Sequence, residues 1–270
     1  MLDLATKQQN FERAKREVAT LSHERADIRS ELNSFERRSR FSFYSGISPV
    51  WWMEHADKAA IIALMNLIKP RIVIEIGSLF GGSTCYFAEH AVSVYCLDID
   101  PAVATRCSDL KNVEVIIGSS KDELPKLIGR LPDGFDLVLV DGDHSAEGVK
   151  ADLDSLLAER PRHKAWIVMH DSFNPEVRRG ILSTDWTKPW VHNLEVDFVP
   201  GNIMSERHVL NEMWGGVAVA ELSAEDRVGP MQITKNADLL FRAAQRSTRR
   251  NLITRQVRDL ARNVKHAVSS

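Results

Sequence analysis

The chain has 270 residues, 44% of them hydrophobic, with 35 Lys and Arg against 37 Asp and Glu and a formal charge of −2. That balance gives no general case for a nucleic-acid partner, and the apolar fraction suffices for one α/β core with appendages. Cys85, Cys96 and Cys107 form neither a CxxC pair nor a metal-ligand spacing, and no secretory apolar region or run near roughly 18 apolar residues is found, so a reduced, cytoplasmic, soluble protein is expected.

The first segment has a helical period. Leu4, Phe11, Val18, Arg25 and Leu32 recur as one seam position, with Ala14, Leu21, Ile28 and Phe35 on the companion position. This is the a/d stripe of a coiled coil over residues 1–40, which predicts a homo-oligomer; Arg25 would weaken the seam while setting its register. A helix lying on its own domain is the alternative. An aromatic linker, "FSFYSGISPVWW", follows, and then "HADKAAIIALMNLI" reads as a helix stopped by Pro70.

From there strands alternate with helices. "RIVIEIG", "VSVYCLDID", "VEVIIG", "FDLVLVDGD" and "AWIVMHD" are short, β-branched and apolar on both faces, as in a parallel sheet covered on both sides. "LEVDFVPG" and "WGGVAVAEL" read as two more strands, and none is expected beyond about Glu225. The prediction is a Rossmann-like, doubly wound, mostly parallel sheet over residues 41–225, with a basic helical extension over 226–270. From Phe241 to Lys265 of that tail, Arg242, Arg246, Arg249, Arg250, Arg255, Arg258, Arg262 and Lys265 stand against one acid, Asp259. It is a candidate for peripheral contact with an anionic membrane surface, a solvated terminal helix being the plainer reading.

The turn after the first strand, "VIEIGSLFGGST", carries Glu75, Gly77, Gly81, Gly82 and Ser83. Glycines there let a ligand approach the backbone, and the helix that follows offers free N–H groups to an anion. The spacing is not the dinucleotide GxGxxG, which argues against an oxidoreductase. Asp98 ends the next strand, where an acid can accept from ribose hydroxyls, and Gly118, Ser119 and Ser120 end the third. Together these strand ends describe a pocket for a nucleoside with a charged tail. Read blandly, they are a tight turn and a helix cap.

The fourth strand ends in "VLVDGDHSAEGVKADL", crowding Asp141, Asp143 and His144 into four positions, and the fifth ends in "VMHD" with His170 and Asp171. Helix caps account for one such Asp but poorly for the set. "EIGSLFGGS", "LDIDP", "GSSKDELPKL" and "VDGDH" resemble the successive motifs of class I S-adenosylmethionine-dependent O-methyltransferases, over roughly Ala59 to Asp171. Within that class, "VDGDHSAEGVKADL" and "VMHDSFNPEVRRG" are most similar to the branch acting on sugars and macrolide glycosides, the macrocin O-methyltransferase and cephalosporin hydroxylase kind.

The resemblance implies a methyl donor held by Glu75 and Gly77 at its amino-acid end, with Ser83 on its carboxylate, Asp98 on its ribose, Ser120 on its adenine, and Gly81 and Asp141 in the same pocket. It also implies a divalent metal, Mg²⁺ or another, on Asp141 and Asp171, and His144 as the base. His170 stands where the sugar branch has an acid, so it is expected either as a nitrogen ligand or on the substrate. A hydroxyl-bearing small molecule or glycan is the expected acceptor. Asn174, Pro175, Arg178 and Arg179 are read as an acceptor grip or as an ordinary helix start. Trp51, Trp52, Trp186, Trp190 and Trp214 are candidates for stacking on a sugar. The alternative function is a catalytically inactive assembly protein on the same fold.

Overall fold

A computed structural model describes residues 51–206 and 209–248. The coiled coil expected over 1–40 and most of the basic tail lie outside the described residues. In chain order the elements are α1 (His55–Ile68), β1 (Ile72–Ile76), α2 (Gly82–His90), β2 (Ser93–Asp98), α3 (Ala102–Arg106), β3 (Val113–Ile117), α4 (Ser120–Gly129), β4 (Leu137–Val140), α5 (Ala146–Leu156), β5 (Ala165–His170), α6 (Pro175–Ser183), β6 (Val191–Val199), β7 (Asn202–Glu206), β8 (Val209–Trp214), β9 (Val217–Leu222) and β10 (Gln232–Thr234).

Eight strands form one sheet in the order β10-β6-β9-β5-β4-β1-β2-β3. β1 to β5 run parallel to their neighbours, while β9 is antiparallel between β5 and β6. This is the expected Rossmann-like, doubly wound arrangement. It follows from strands apolar on both faces. Val73 packs with Leu64, Phe87 and Val94 on one side of the sheet, and Ile74 and Ile76 pack with Leu124, Val149 and Leu153 on the other. Burying each such side chain contributes ~1.5–3 kcal/mol. α1 ends at Lys69, which takes a left-handed φ of 52° ahead of Pro70.

Two features depart from the sequence reading. Strands do not stop near Glu225, because β10 joins the sheet edge in parallel with β6. β7 and β8 form a separate antiparallel hairpin between β6 and β9. All three residues of β10 are exposed, and the hairpin mixes Asn and Glu with Ile and Met, so neither has the apolar run that marks a buried strand. Beyond β10, residues 238–248 are helical, and Phe241 and Ala244 pack against Phe173 and Met213. Among the described residues no helix is long and apolar enough to cross a membrane.

Candidate active site at the carboxyl edge of the sheet

β1 is flanked by β2 on one side and β4 on the other, so the strand order reverses there and leaves a crevice above the strand ends. A cavity of about 1940 Å³ fills it. One wall comes from the turn after β1. Gly77 has φ +85° and a Cβ there would stand 2.3 Å from the Asp141 carbonyl oxygen, so only glycine lets the turn pass against the end of β4. Gly77, Ser83, Asp98, Ser120 and Asp141 all line the cavity. Glu75 and Gly81 stand behind that lining, Gly81 as the left-handed N-cap of α2.

Glu75 is fully buried beneath the turn. The Thr84 hydroxyl donates to its Oε2, and Oε1 has no hydrogen-bond partner. Burial pushes its carboxyl up to about 7, against the Ser83 and Thr84 hydroxyls that favour the charged form. Asp98 organises the loop: its Oδ2 accepts from the Ser78 and Leu79 amides at 2.9 and 3.0 Å, and its Oδ1 from the Asp100 amide at 2.8 Å. The backbone thus fixes the direction of this carboxylate at the cavity wall.

The opposite wall is the acid–imidazole cluster, which the adjacency of β4 and β5 brings together. His144 Nε2 lies 2.9 Å from Asp171 Oδ2 and 3.6 Å from Asp141 Oδ1. Hydrogen bonding by Asp141 and then Asp171 raises its pKa to about 9. The ring meets Trp214 edge-on, with centroids 5.4 Å apart. Asp171 takes φ +55°, a left-handed conformation that costs a non-glycine residue stability, and its Oδ1 accepts from the Gly215 amide at 2.6 Å. Burial opposes the charge on Asp171, yet His170 and His144 hold its carboxyl well below the usual range.

His170 departs from the expectation of a metal ligand. Its Nδ1 faces Asp141 Oδ1 at 2.9 Å and its Nε2 faces Asp57 Oδ2 at 3.0 Å. Both ring nitrogens are engaged by carboxylates, so the ring serves as a bridge between α1 and the cluster. Burial disfavours its charge, but Asp141 and Asp171 overcome that and raise its pKa well above the ordinary value. The trio whose ligand atoms lie within 4.8 Å of one another is Asp141, His144 and Asp171.

Asp57 is a member of the site that the sequence did not point to. It also accepts from the Gly216 amide at 3.2 Å, tying the turn between β8 and β9 to α1. An acid in the first turn of a helix is too ordinary to stand out. Asp152 on α5 was overlooked as well; it is buried and lines the cavity.

Other candidates are placed elsewhere. Asn174 caps α6, accepting from the Glu176 amide at 2.9 Å. Arg178 is buried in a two-pronged pair with Asp197 at 2.6 and 3.2 Å, with Phe241 against its guanidinium, so it is a packing residue rather than an acceptor grip. Trp186 is buried and donates to the Ile181 carbonyl, Trp190 lies under Arg160, and Trp51 stacks on Tyr86. Trp52, Trp214 and Trp51 line the cavity, Trp52 being 68% exposed and stacked on Phe80.

Residues 74–172 match the family described as Methyltransferase domain, the stretch from β1 to the acid that follows β5. No curated protein matches the chain. Among solved structures it is similar to the O-methyltransferase TomG from Streptomyces achromogenes, in complex with SAM, at 18% identity and a TM-score of 0.45, over 61% of this chain and 78% of that one. A putative hemolysin from Streptococcus thermophilus gives 14% identity and 0.48, over 73% and 74%. MycE methyltransferase from the mycinamycin pathway, in complex with Mg, SAH and mycinamycin VI, gives 17% and 0.43, over 67% and 53%. The methyltransferase resemblance of the motifs is met by the family match; likenesses at these TM-scores add nothing about the acceptor.

Proposed function

We propose that the protein is an S-adenosylmethionine-dependent O-methyltransferase acting on a hydroxyl of a sugar, glycan or glycosylated natural product. The observation that supports this is the single cavity joining the glycine turn, Asp98 and Ser120 to the Asp141–His144–Asp171 cluster. At about 1940 Å³ it exceeds the ~300–1,000 Å³ of an ordinary small-ligand pocket, leaving room for donor and acceptor side by side.

On this reading the donor's charged tail lies over Gly77 and Ser83, its ribose at Asp98 and its adenine at Ser120, with the methyl aimed toward the cluster. His144, whose Nε2 is held by Asp171, takes the acceptor's proton on its other ring nitrogen while the hydroxyl oxygen forms its bond to the methyl carbon and the carbon–sulfur bond breaks, leaving a neutral thioether. Trp214 fixes the plane of the His144 ring and, with Met204, gives the acceptor an apolar wall. In the free protein Asp141 and Asp171 raise the pKa of this imidazole to about 9, and it is the neutral ring that takes the proton.

The residues fit a divalent cation: ligand oxygens of Asp141 and Asp171 lie within 4.8 Å of one another at the cavity wall. Asp141 and Asp171 would hold it, and its chemistry there would be to acidify the acceptor hydroxyl. The set of intact acids at the strand ends argues against the inactive assembly protein.

Calorimetric titration with S-adenosylmethionine and S-adenosylhomocysteine should give saturable binding, and absence of binding by both would overturn the reading. His144→Ala should lower turnover at least about 100-fold while leaving donor affinity unchanged.

A further inference from the structure

We propose that Asp152 reads the exocyclic amine of the donor's adenine, so that part of the cavity's base preference is set from α5 beside the loop after β3. This rests on the donor reading above.

Asp152 is 1% exposed, yet it lines the cavity beside Gly118, Ser119, Ser120 and Ala151. Its Oδ2 has no hydrogen-bond partner. Buried carboxylate oxygens are normally satisfied, and one left without a donor at a cavity wall is destabilising unless a ligand completes it. Burial pushes the carboxyl up to about 6, the Ser120 hydroxyl lowers it and Asp143 pushes it further, so the group is still mainly charged at neutral pH. Asp143 is not equivalent, because its Oδ1 already accepts from the Ser145 amide at 2.8 Å. Asp152 Oδ2 is thus a buried acceptor oxygen without a donor.

The chemistry of the wall says which donor. The loop after β3, Gly118-Ser119-Ser120, carries no acid. It ends at the start of α4, whose first N–H groups can donate. A wall with amide donors beside a lone carboxylate acceptor matches adenine, which offers an acceptor at N1 and an amine next to it. A 6-oxo purine would turn a carbonyl oxygen toward the carboxylate and leave both without a proton between them. A purely structural Asp152 would have found backbone amides to accept from, as Asp136 does.

The test compares S-adenosylhomocysteine with S-inosylhomocysteine, its 6-oxo analogue, by calorimetry on the full chain and on Asp152→Ala and Asp152→Asn, with thermal melting of each free protein. The wild-type chain should prefer the adenosyl compound by about tenfold to a hundredfold. Asp152→Ala should lower that ratio several-fold by weakening the adenosyl compound, the amide contact to N1 keeping the remainder, and should melt no lower than wild type. Asp152→Asn, whose amide can donate to the 6-oxo group, should bind the inosyl compound more tightly than wild type does. A preference undiminished in Asp152→Ala overturns the proposal, and so does an equal loss of both ligands with a lower melting temperature. Failure of the wild-type chain to bind either compound would instead remove the donor reading itself.

Discussion

His144, His170 and Asp171 titrate as one cluster, and each shift has a stability consequence. The two imidazoles have pKa values raised in the folded chain, His144 to about 9. Their contribution is complete below the unfolded value of about 6.5 and is lost as pH rises through the folded values. Asp171 is shifted down, so its contribution is present above the ordinary carboxylate range and is lost only in strong acid. Glu75 works in the opposite sense to an ordinary paired acid: raised to about 7, it destabilises progressively from about pH 4.5 and then levels off. Between pH 7 and 9 the slope is therefore mainly that of the histidines. Urea unfolding across that window should show stability falling with pH, and His144→Gln should flatten the fall; a wild-type profile flat from pH 7 to 9 would contradict the cluster geometry.

The elements divide into those written in local pattern and those fixed by distant partners. β1 to β5 were legible because residues such as Val73, Ile74, Val138 and Ile167 are apolar and buried on both faces. The convergence of Asp141, His144 and Asp171 was legible too, since parallel neighbours place their strand ends together. The role of His170 was not. It depends on Asp57, 113 positions away on α1, and no spacing in the chain announces that pairing. Likewise β7, β8 and β10 carry no apolar run, and their pairing is decided by the sheet edge and the turns rather than by their own composition. The turn after β1 gives the sharpest test at this scale. Gly77→Ala places a Cβ 2.3 Å from a backbone oxygen at φ +85°, and should cost several kcal/mol, about 2–4, in urea unfolding while abolishing donor binding. Gly129→Ala, at the exposed end of α4 with nothing within 4 Å of the new methyl, should be neutral or mildly stabilising.

Across the molecule, the segment after residue 225 is tied to the site through packing. Phe173, two positions past Asp171, is covered by Phe241 and Ala244, and Asp238 lies 3.5 Å from the buried Arg178 guanidinium. A chain ended at residue 225 loses β10 and this cover together. Exposing Phe173 and Met213 should lower stability by about 3 kcal/mol or more and weaken activity, read by thermal melting and methyl transfer; melting unchanged from full length would mean that the sheet closes without them.

The placement of β9 between β5 and β6 bears on how the chain is made. β6 pairs only with β9 and β10, both later in the sequence, and the free edge of β5 is closed by β9 alone. On the ribosome β1 to β5 can assemble as soon as they emerge, but the hydrogen-bonding edge of β5 stays open until synthesis has passed residue 222. For that interval an apolar strand edge faces solvent or a holding chaperone, so slow translation between residues 170 and 222 is when this protein is most exposed to misassociation.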